Sequence, residues 1–131
     1  MSYKLSKRSY RNLRKVEPIL IAILTEAIKE SPYDFGIPSS GGYRSAVEQN
    51  ILYTDGKSKC DGYRKKSYHQ TGLAFDIYGY VNGKGNWEAD VLTRIARHIQ
   101  RVAKVSFKVD LEWGGDWKGG WDKPHFQINK D

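Results

Sequence analysis

The stretch from Trp87 to Val105 constrains the fold more than any other part of the chain. Leu92, Ile95, Ile99, Val102 and Ala103 recur there at helical spacing, so they share one side of a long amphipathic helix. A helix with one apolar side has to lay it on something, and the rest of a 131-residue chain must supply that surface. The length fits one domain, taken as residues 1–131. With 39% hydrophobic and 13% aromatic residues, such a domain can bury a core without a disulfide scaffold, and whole-chain disorder is excluded.

The other segments are short. Leu13, Val16, Leu20, Ile23, Leu24 and Ala27 predict helix from about Ser6 to Glu30, capped by Ser6 and broken near Pro18, which can open a second helix. Ser31 to Tyr43 reads as turn with a short strand near Phe35 to Ile37, and Ser45 to about Tyr53 as a third helix ended by Asp55 and Gly56. Lys57 to Gln70 is polar and reads as a surface loop. Leu73 to Tyr80 alternates as one strand, with Asp76 on the face opposite Phe75 and Ile77, before a turn at Asn82 and Gly83. Strands near Val109 to Trp113 and Phe126 to Ile128 flank a glycine-rich loop. Together these predict an α+β fold with a small, mainly antiparallel sheet packed with helices.

The net charge of +7 is unevenly placed. Lys4, Lys7, Arg8, Arg11, Arg14 and Lys15 precede residue 17 with no acid among them, which leaves the remainder nearly neutral. A basic N-terminal helix beside a neutral body predicts contact with an anionic envelope polymer or lipid. Arg94, Arg97, Arg101, Lys104 and Lys108 lie along one helix face and read as a solvated stripe. It has no interleaved exposed aromatics and no nucleic-acid motif, so nucleic acid is not the expected partner. One cysteine, Cys60, excludes an intramolecular disulfide and a thiolate zinc site. No apolar run approaches a membrane span or a signal sequence, so synthesis in the cytoplasm is expected.

Two of the three histidines sit beside carboxylates in glycine-rich surroundings. A zinc ion that does chemistry takes three ligands from His and carboxylate and keeps a fourth position open, a number met by His69, Asp76 and His125. Asp122, on a turn set by Pro124, is then free to act as a base on water beside such an ion. The other reading of these residues is that the two histidines are unrelated, each merely hydrogen-bonded, with Asp76 at a strand end. His98, on the long helix beside Ile95 and Ile99, has no carboxylate at ligand spacing.

The string Ser67-x-His69-x-x-Gly72-x-Ala74-x-Asp76, followed by Asp122-x-x-His125, resembles the signature of the zinc D-alanyl-D-alanine carboxypeptidase and dipeptidase superfamily, which shares its fold with the hedgehog signalling domain. Tyr33-Asp34-Phe35, Gly42-x-Arg44, Gln49 and Trp113-Gly114-Gly115-Asp116-Trp117 resemble the branch typified by phage endolysins of the L-alanyl-D-glutamate peptidase type. The likeness runs from about Val16 to Ile128.

That resemblance implies a hedgehog/DD-peptidase-like fold and a zinc-dependent endopeptidase cutting the L-alanyl-D-glutamate bond of peptidoglycan stem peptides during host lysis. It makes His69, Asp76 and His125 the ligands of one catalytic Zn2+ ion and Asp122 the general base and acid. Arg44 would contact a substrate carboxylate or the developing oxyanion, and Ser67 would help position substrate. Many carboxypeptidase relatives carry Glu in place of Asp122, which favours the endopeptidase branch. It further implies a monomer made in the host cytoplasm and released by a holin-like partner to act on the wall in the periplasm. The alternatives are a D-Ala-D-Ala carboxypeptidase or dipeptidase on the same fold and a non-catalytic zinc-stabilised binding module. Trp113, Trp117 and Trp121 are candidates for the cleft wall or for the rim of the core.

Overall fold

A computed structural model of the chain describes residues 2–129. Helix α1 (Lys7–Asn12) opens on Ser6, whose Oγ accepts from the Ser9 N–H at 3.0 Å. Helix α2 (Pro18–Ala27) begins with Pro18 in its first turn, where the missing N–H costs no helical bond. Strand β1 (Asp34–Gly36), helix α3 (Ala46–Thr54) and strands β2 (Ala74–Asp76), β3 (Tyr78–Val81) and β4 (Lys84–Asn86) follow. Helix α4 (Ala89–Phe107) precedes β5 (Glu112–Trp113) and β6 (His125–Gln127).

The core sits between α4, α2 and the strands. Val91, Leu92, Ile95, Ala96, Ile99 and Ala103 of α4 are buried, as the helical spacing predicts, against Leu20, Ile23, Leu24 and Ala27 of α2 and residues of both sheets. His98 ties these helices together, its Nε2 donating to the Ala27 carbonyl at 2.7 Å. Phe75 and Phe126 stack across β2 and β6, with ring centroids 5.0 Å apart.

The strands form two antiparallel three-stranded sheets, ordered β1-β3-β4 and β2-β6-β5. The segment read as one strand from Leu73 to Tyr80 is therefore two. Asp76 pairs with His125 in one sheet, whereas Tyr78 pairs with Gly36 in the other, and the chain crosses between sheets at Ile77. Ile77 donates its N–H to the Pro124 carbonyl at 3.0 Å, so the crossing is itself anchored. Alternation cannot reveal such a handover, because the side chains keep their period while the pairing partner changes. Phe75 and Ile77 are fully buried and Asp76 is not, in line with the opposite faces expected of them. Strand β4 has no sequence signal of its own: Lys-Gly-Asn carries no β-branched or apolar residue, and it forms because the Asn82-Gly83 turn folds it back on β3.

The polar loop from Lys57 to Gln70 is more ordered than its composition implies. Asp61 Oδ1 accepts the N–H groups of Tyr63, Arg64 and Lys65 at 2.9, 2.9 and 3.0 Å. The loop ends in a 3-10 turn, Tyr68–Thr71, that buries His69.

Candidate metal centre

His69, Asp76 and His125 come from the 3-10 turn, the end of β2 and the start of β6. The pairing of Asp76 with His125 brings two of them side by side, and the turn delivers the third. His69 Nε2 lies 3.2 Å from His125 Nδ1 and 3.3 Å from Asp76 Oδ1, and His125 Nδ1 lies 3.1 Å from the same oxygen. Three potential ligand atoms thus form a nearly equilateral triangle.

The outer atoms of each group fix which atom faces inward. His69 Nδ1 is 2.8 Å from the Gly42 carbonyl, which can only accept, so Nδ1 carries a proton and Nε2 presents its lone pair when the ring is neutral. His125 Nε2 is 2.8 Å from Gln127 Oε1, which turns Nδ1 inward in the same way. Asp76 Oδ2 accepts from Arg44 Nη2 at 3.3 Å, leaving Oδ1 for the triangle.

Three inward-facing acceptors repel one another unless a cation or a proton lies among them. Tetrahedral zinc with ligands at about 2.0–2.1 Å needs ligand atoms about 3.3 Å apart. The triangle meets that requirement in both distance and donor type, so these residues fit such an ion.

Without metal, a proton plays the cation's part. Burial would raise the Asp76 carboxyl, but the positive charge and hydrogen bonds of His69 and His125 reverse this and hold it well below the ordinary carboxylate range. Burial would lower the His125 imidazole, but its hydrogen bond to Asp76 and that carboxylate's charge lift it above 6.5.

Asp122 stands at the edge of this site. Its carbonyl accepts from the His125 N–H at 3.1 Å, and Gly114 packs against it so closely that no side chain fits there. The Asp122 carboxylate takes no hydrogen bond among the described residues and is pushed up by burial first and the charge of Asp76 second. A carboxylate so placed is suited to accepting a proton.

Arg44 is largely buried, and its nitrogens are engaged. Besides Asp76, Nε donates to the Ser40 carbonyl at 2.8 Å and Nη1 to Gln49 Oε1 at 3.1 Å. Gln49 is itself fully buried and donates to Ser58 Oγ and the Cys60 carbonyl. The structure therefore places Arg44 behind Asp76 and orients it there. The Ser67 hydroxyl accepts from the His69 N–H at 3.2 Å in a capping box completed by Gln70. Its observed work is to hold the turn that carries His69.

Sequence reasoning missed the support behind His125. Gln127 Nε2 donates to Asn129 Oδ1 at 2.8 Å and to Glu112 Oε2 at 3.4 Å, which settles the amide so that its oxygen faces the ring. Glu112 also accepts from Asn129 Nδ2 and from Trp117 Nε1. The available signal was the period of two in β6, which puts His125 and Gln127 on one face. Trp117 packs against His125 with centroids 5.3 Å apart and against Trp121 at 5.2 Å. Trp121 is 66% exposed at the edge of the site, whereas Trp113 belongs to the core.

A family model described as phage L-alanyl-D-glutamate peptidase matches residues 1–129. The L-alanyl-D-glutamate peptidase of Escherichia phage T5 is 31% identical over 131 residues, covering 99% of this chain and 92% of that protein. The peptidoglycan L-alanyl-D-glutamate endopeptidase CwlK of Bacillus subtilis is 30% identical over 125 residues, 79% of this chain and 68% of its own. Among solved structures, the Serratia marcescens L-Ala D-Glu endopeptidase ChiX superposes with a TM-score of 0.84 at 33% identity, covering 98% of this chain and 91% of that one. The LdcB LD-carboxypeptidase superposes at 0.55 with 20% identity over 90% of this chain and 67% of its own, a likeness of fold alone. The fold is DD-peptidase-like, as the motifs implied.

Proposed function

The chain belongs to the phage L-alanyl-D-glutamate peptidase family, and from that premise we propose that it is a zinc-dependent endolysin hydrolysing the L-alanyl-D-glutamate bond of peptidoglycan stem peptides. The observation that carries the metal part of this reading is the convergence of His69 Nε2, Asp76 Oδ1 and His125 Nδ1 within 3.1–3.3 Å of one another. The likeness to two L-alanyl-D-glutamate peptidases and to ChiX supports the choice of bond.

The three residues would hold one Zn2+ ion. The chemistry zinc supplies in a three-ligand setting is Lewis-acid polarisation of an amide carbonyl and acidification of water to a pKa of about 7. Asp122 takes the proton of the attacking water as its oxygen bonds to the L-alanyl carbonyl carbon. The same carboxyl then delivers that proton to the D-glutamyl nitrogen as the carbon–nitrogen bond breaks, so the proton count balances. Its unpartnered, partly buried carboxylate suits both transfers.

Arg44 holds Asp76 Oδ2 so that Oδ1 is turned to the metal position, and the guanidinium hydrogens not used internally remain for an oxyanion or a substrate carboxylate. Ser67 secures the His69 turn from which it can also meet substrate. We take residues 1–131 as one catalytic domain with a basic N-terminal helix, acting as a monomer. Synthesis in the host cytoplasm and release to the wall through a holin-like partner complete the proposal. Among the described residues no helix is long and apolar enough to cross a membrane.

Mass analysis of products from purified peptidoglycan tests the reading. Stem fragments with a new D-glutamyl amino terminus are expected. Free D-alanine would assign a carboxypeptidase instead, and intact stems a binding module.

A further inference from the structure

Three of the bases that precede residue 17 are gathered by the fold into one place. Arg11, Arg14 and Lys15 line an open groove of about 570 Å³ whose other residues include Tyr43, Ser45 and a single acid, Glu48. Glu48 is already engaged, since its Oε1 accepts the Ser45 N–H at 2.9 Å in the capping box of α3. None of the three bases makes an ion pair among the described residues.

Lys15 is held in the left-handed backbone region at φ 68, which a residue with a side chain adopts only when its surroundings impose it. Its Nζ stands over the Tyr43 ring, 5.1 Å from the centroid. The backbone beside the groove also belongs to the metal centre. Gly42, whose carbonyl accepts from His69, packs on the Asn12 carbonyl, and Glu17 donates its N–H at 2.9 Å to Gly72, which ends the His69 turn. Tyr43 and Ser45 flank Arg44, the residue that holds Asp76.

We propose that this groove is a substrate subsite that binds free carboxylates of the peptidoglycan stem. The inference rests on the peptidase reading above. A glutamate has one amine and two carboxyls, so with its amine acylated by L-alanine and one carboxyl continuing the stem, the other remains free close to the bond that is cut. Guanidinium groups match such carboxylates in bidentate geometry. A concavity whose lining includes Tyr43 and Ser45, the two chain neighbours of Arg44, suits an extended acidic peptide better than a flat anionic lipid surface. The basic N-terminus thereby receives a partner more specific than the envelope as a whole.

The test uses a soluble stem peptide containing the L-alanyl-D-glutamate bond and a second in which its free carboxyls are carboxamides. Initial rates give kcat and KM, and amide NMR signals of the protein report where each peptide binds. In the wild type, amidation should raise KM about ten-fold while changing kcat little. In Arg11→Gln/Arg14→Gln/Lys15→Gln that ratio should collapse towards one. Lys15→Gly, which suits the left-handed backbone, should reduce the ratio in part and serves if the triple variant does not fold.

Equal KM values for the two peptides in the wild type, or an unchanged ratio in the variants, would overturn the subsite. If neither peptide is cut, the peptidase reading fails by itself. The subsite then stands if the acidic peptide alone shifts the Arg11, Arg14 and Lys15 signals, and falls if it does not. Loss of sedimentation with phosphatidylglycerol vesicles in the variants, with the KM ratio unchanged, would assign these bases to a lipid surface and also overturn it.

Discussion

At the residue scale, the site consists of three atoms that could hold a metal ion and the groups that aim them. The Gly42 carbonyl fixes His69, Gln127 fixes His125 and Arg44 occupies the second oxygen of Asp76. Asp122 lies outside this triangle, so its substitution separates the proposed proton transfers from metal binding. Asp122→Asn should lower kcat by about 100-fold or more while the protein still binds one zinc per chain, read by stopped rates and by metal analysis after dialysis. A variant that kept its rate would remove Asp122 from the proton transfers.

The same residues set how the metal-free protein responds to pH. Asp76 has a folded pKa below its unfolded value of about 3.9, so its contribution is present above that pH and lost as the solution is acidified. His125 has a folded pKa above about 6.5, so its contribution is present below that pH and lost as pH rises through the folded value. Asp122, raised by burial first and the charge of Asp76 second, has a contribution present below the ordinary carboxylate pKa and lost as pH rises from there through its folded value. Urea midpoints of metal-free protein should therefore peak between about pH 4 and 6.5, and zinc should move the maximum upward by displacing the proton from the triangle. His69, Asp76, His125 and Asp122 could be singled out from sequence through the spacing of their motifs and the family resemblance those motifs carry, since residue type alone leaves two unrelated histidines as an alternative. Gln127 and Glu112 could not, since an amide or a carboxylate acquires such a role only from the neighbour it faces.

At the element scale, the metal position depends on how closely separate segments approach. Gly42 sits where the turn between α1 and α2 meets the loop ahead of α3, and an added methyl group would fall on the Asn12 carbonyl. Gly42→Ala should cost about 1–3 kcal/mol and weaken zinc binding by moving the acceptor of His69, measured by urea unfolding and zinc competition. Gly85→Ala in β4 meets only ordinary contact with Tyr78, and serves as the comparison that should leave both nearly unchanged. Helix starts at Ser6, Pro18 and Ser45 were legible because capping chemistry is local. The passage of the chain from one sheet to the other at Ile77 was not, because strand pairing is decided by segments distant in sequence.

At the scale of the whole molecule, the apolar face of the long helix α4 supplies the support on which both sheets rest, and the sheet carrying β2 and β6 supplies two of the three potential ligand atoms. Charge is distributed to match: the chain after residue 16 is nearly neutral, while Arg11, Arg14 and Lys15 line a groove with Tyr43 and Ser45, the neighbours of Arg44. The exposed Arg97–Asp116 pair, although bidentate, adds little to stability at this scale because water competes for both partners.

In the proposed mechanism, hydrolysis depends on an ion held by His69, Asp76 and His125. Metal-free protein, prepared with a chelator that is then removed, can be titrated with zinc while the release of D-glutamyl amino termini from peptidoglycan is followed. No turnover is expected at zero zinc, followed by a rise to full rate that saturates at one equivalent per chain, with His125→Ala showing neither binding nor rate. Full turnover in the metal-free protein would contradict it.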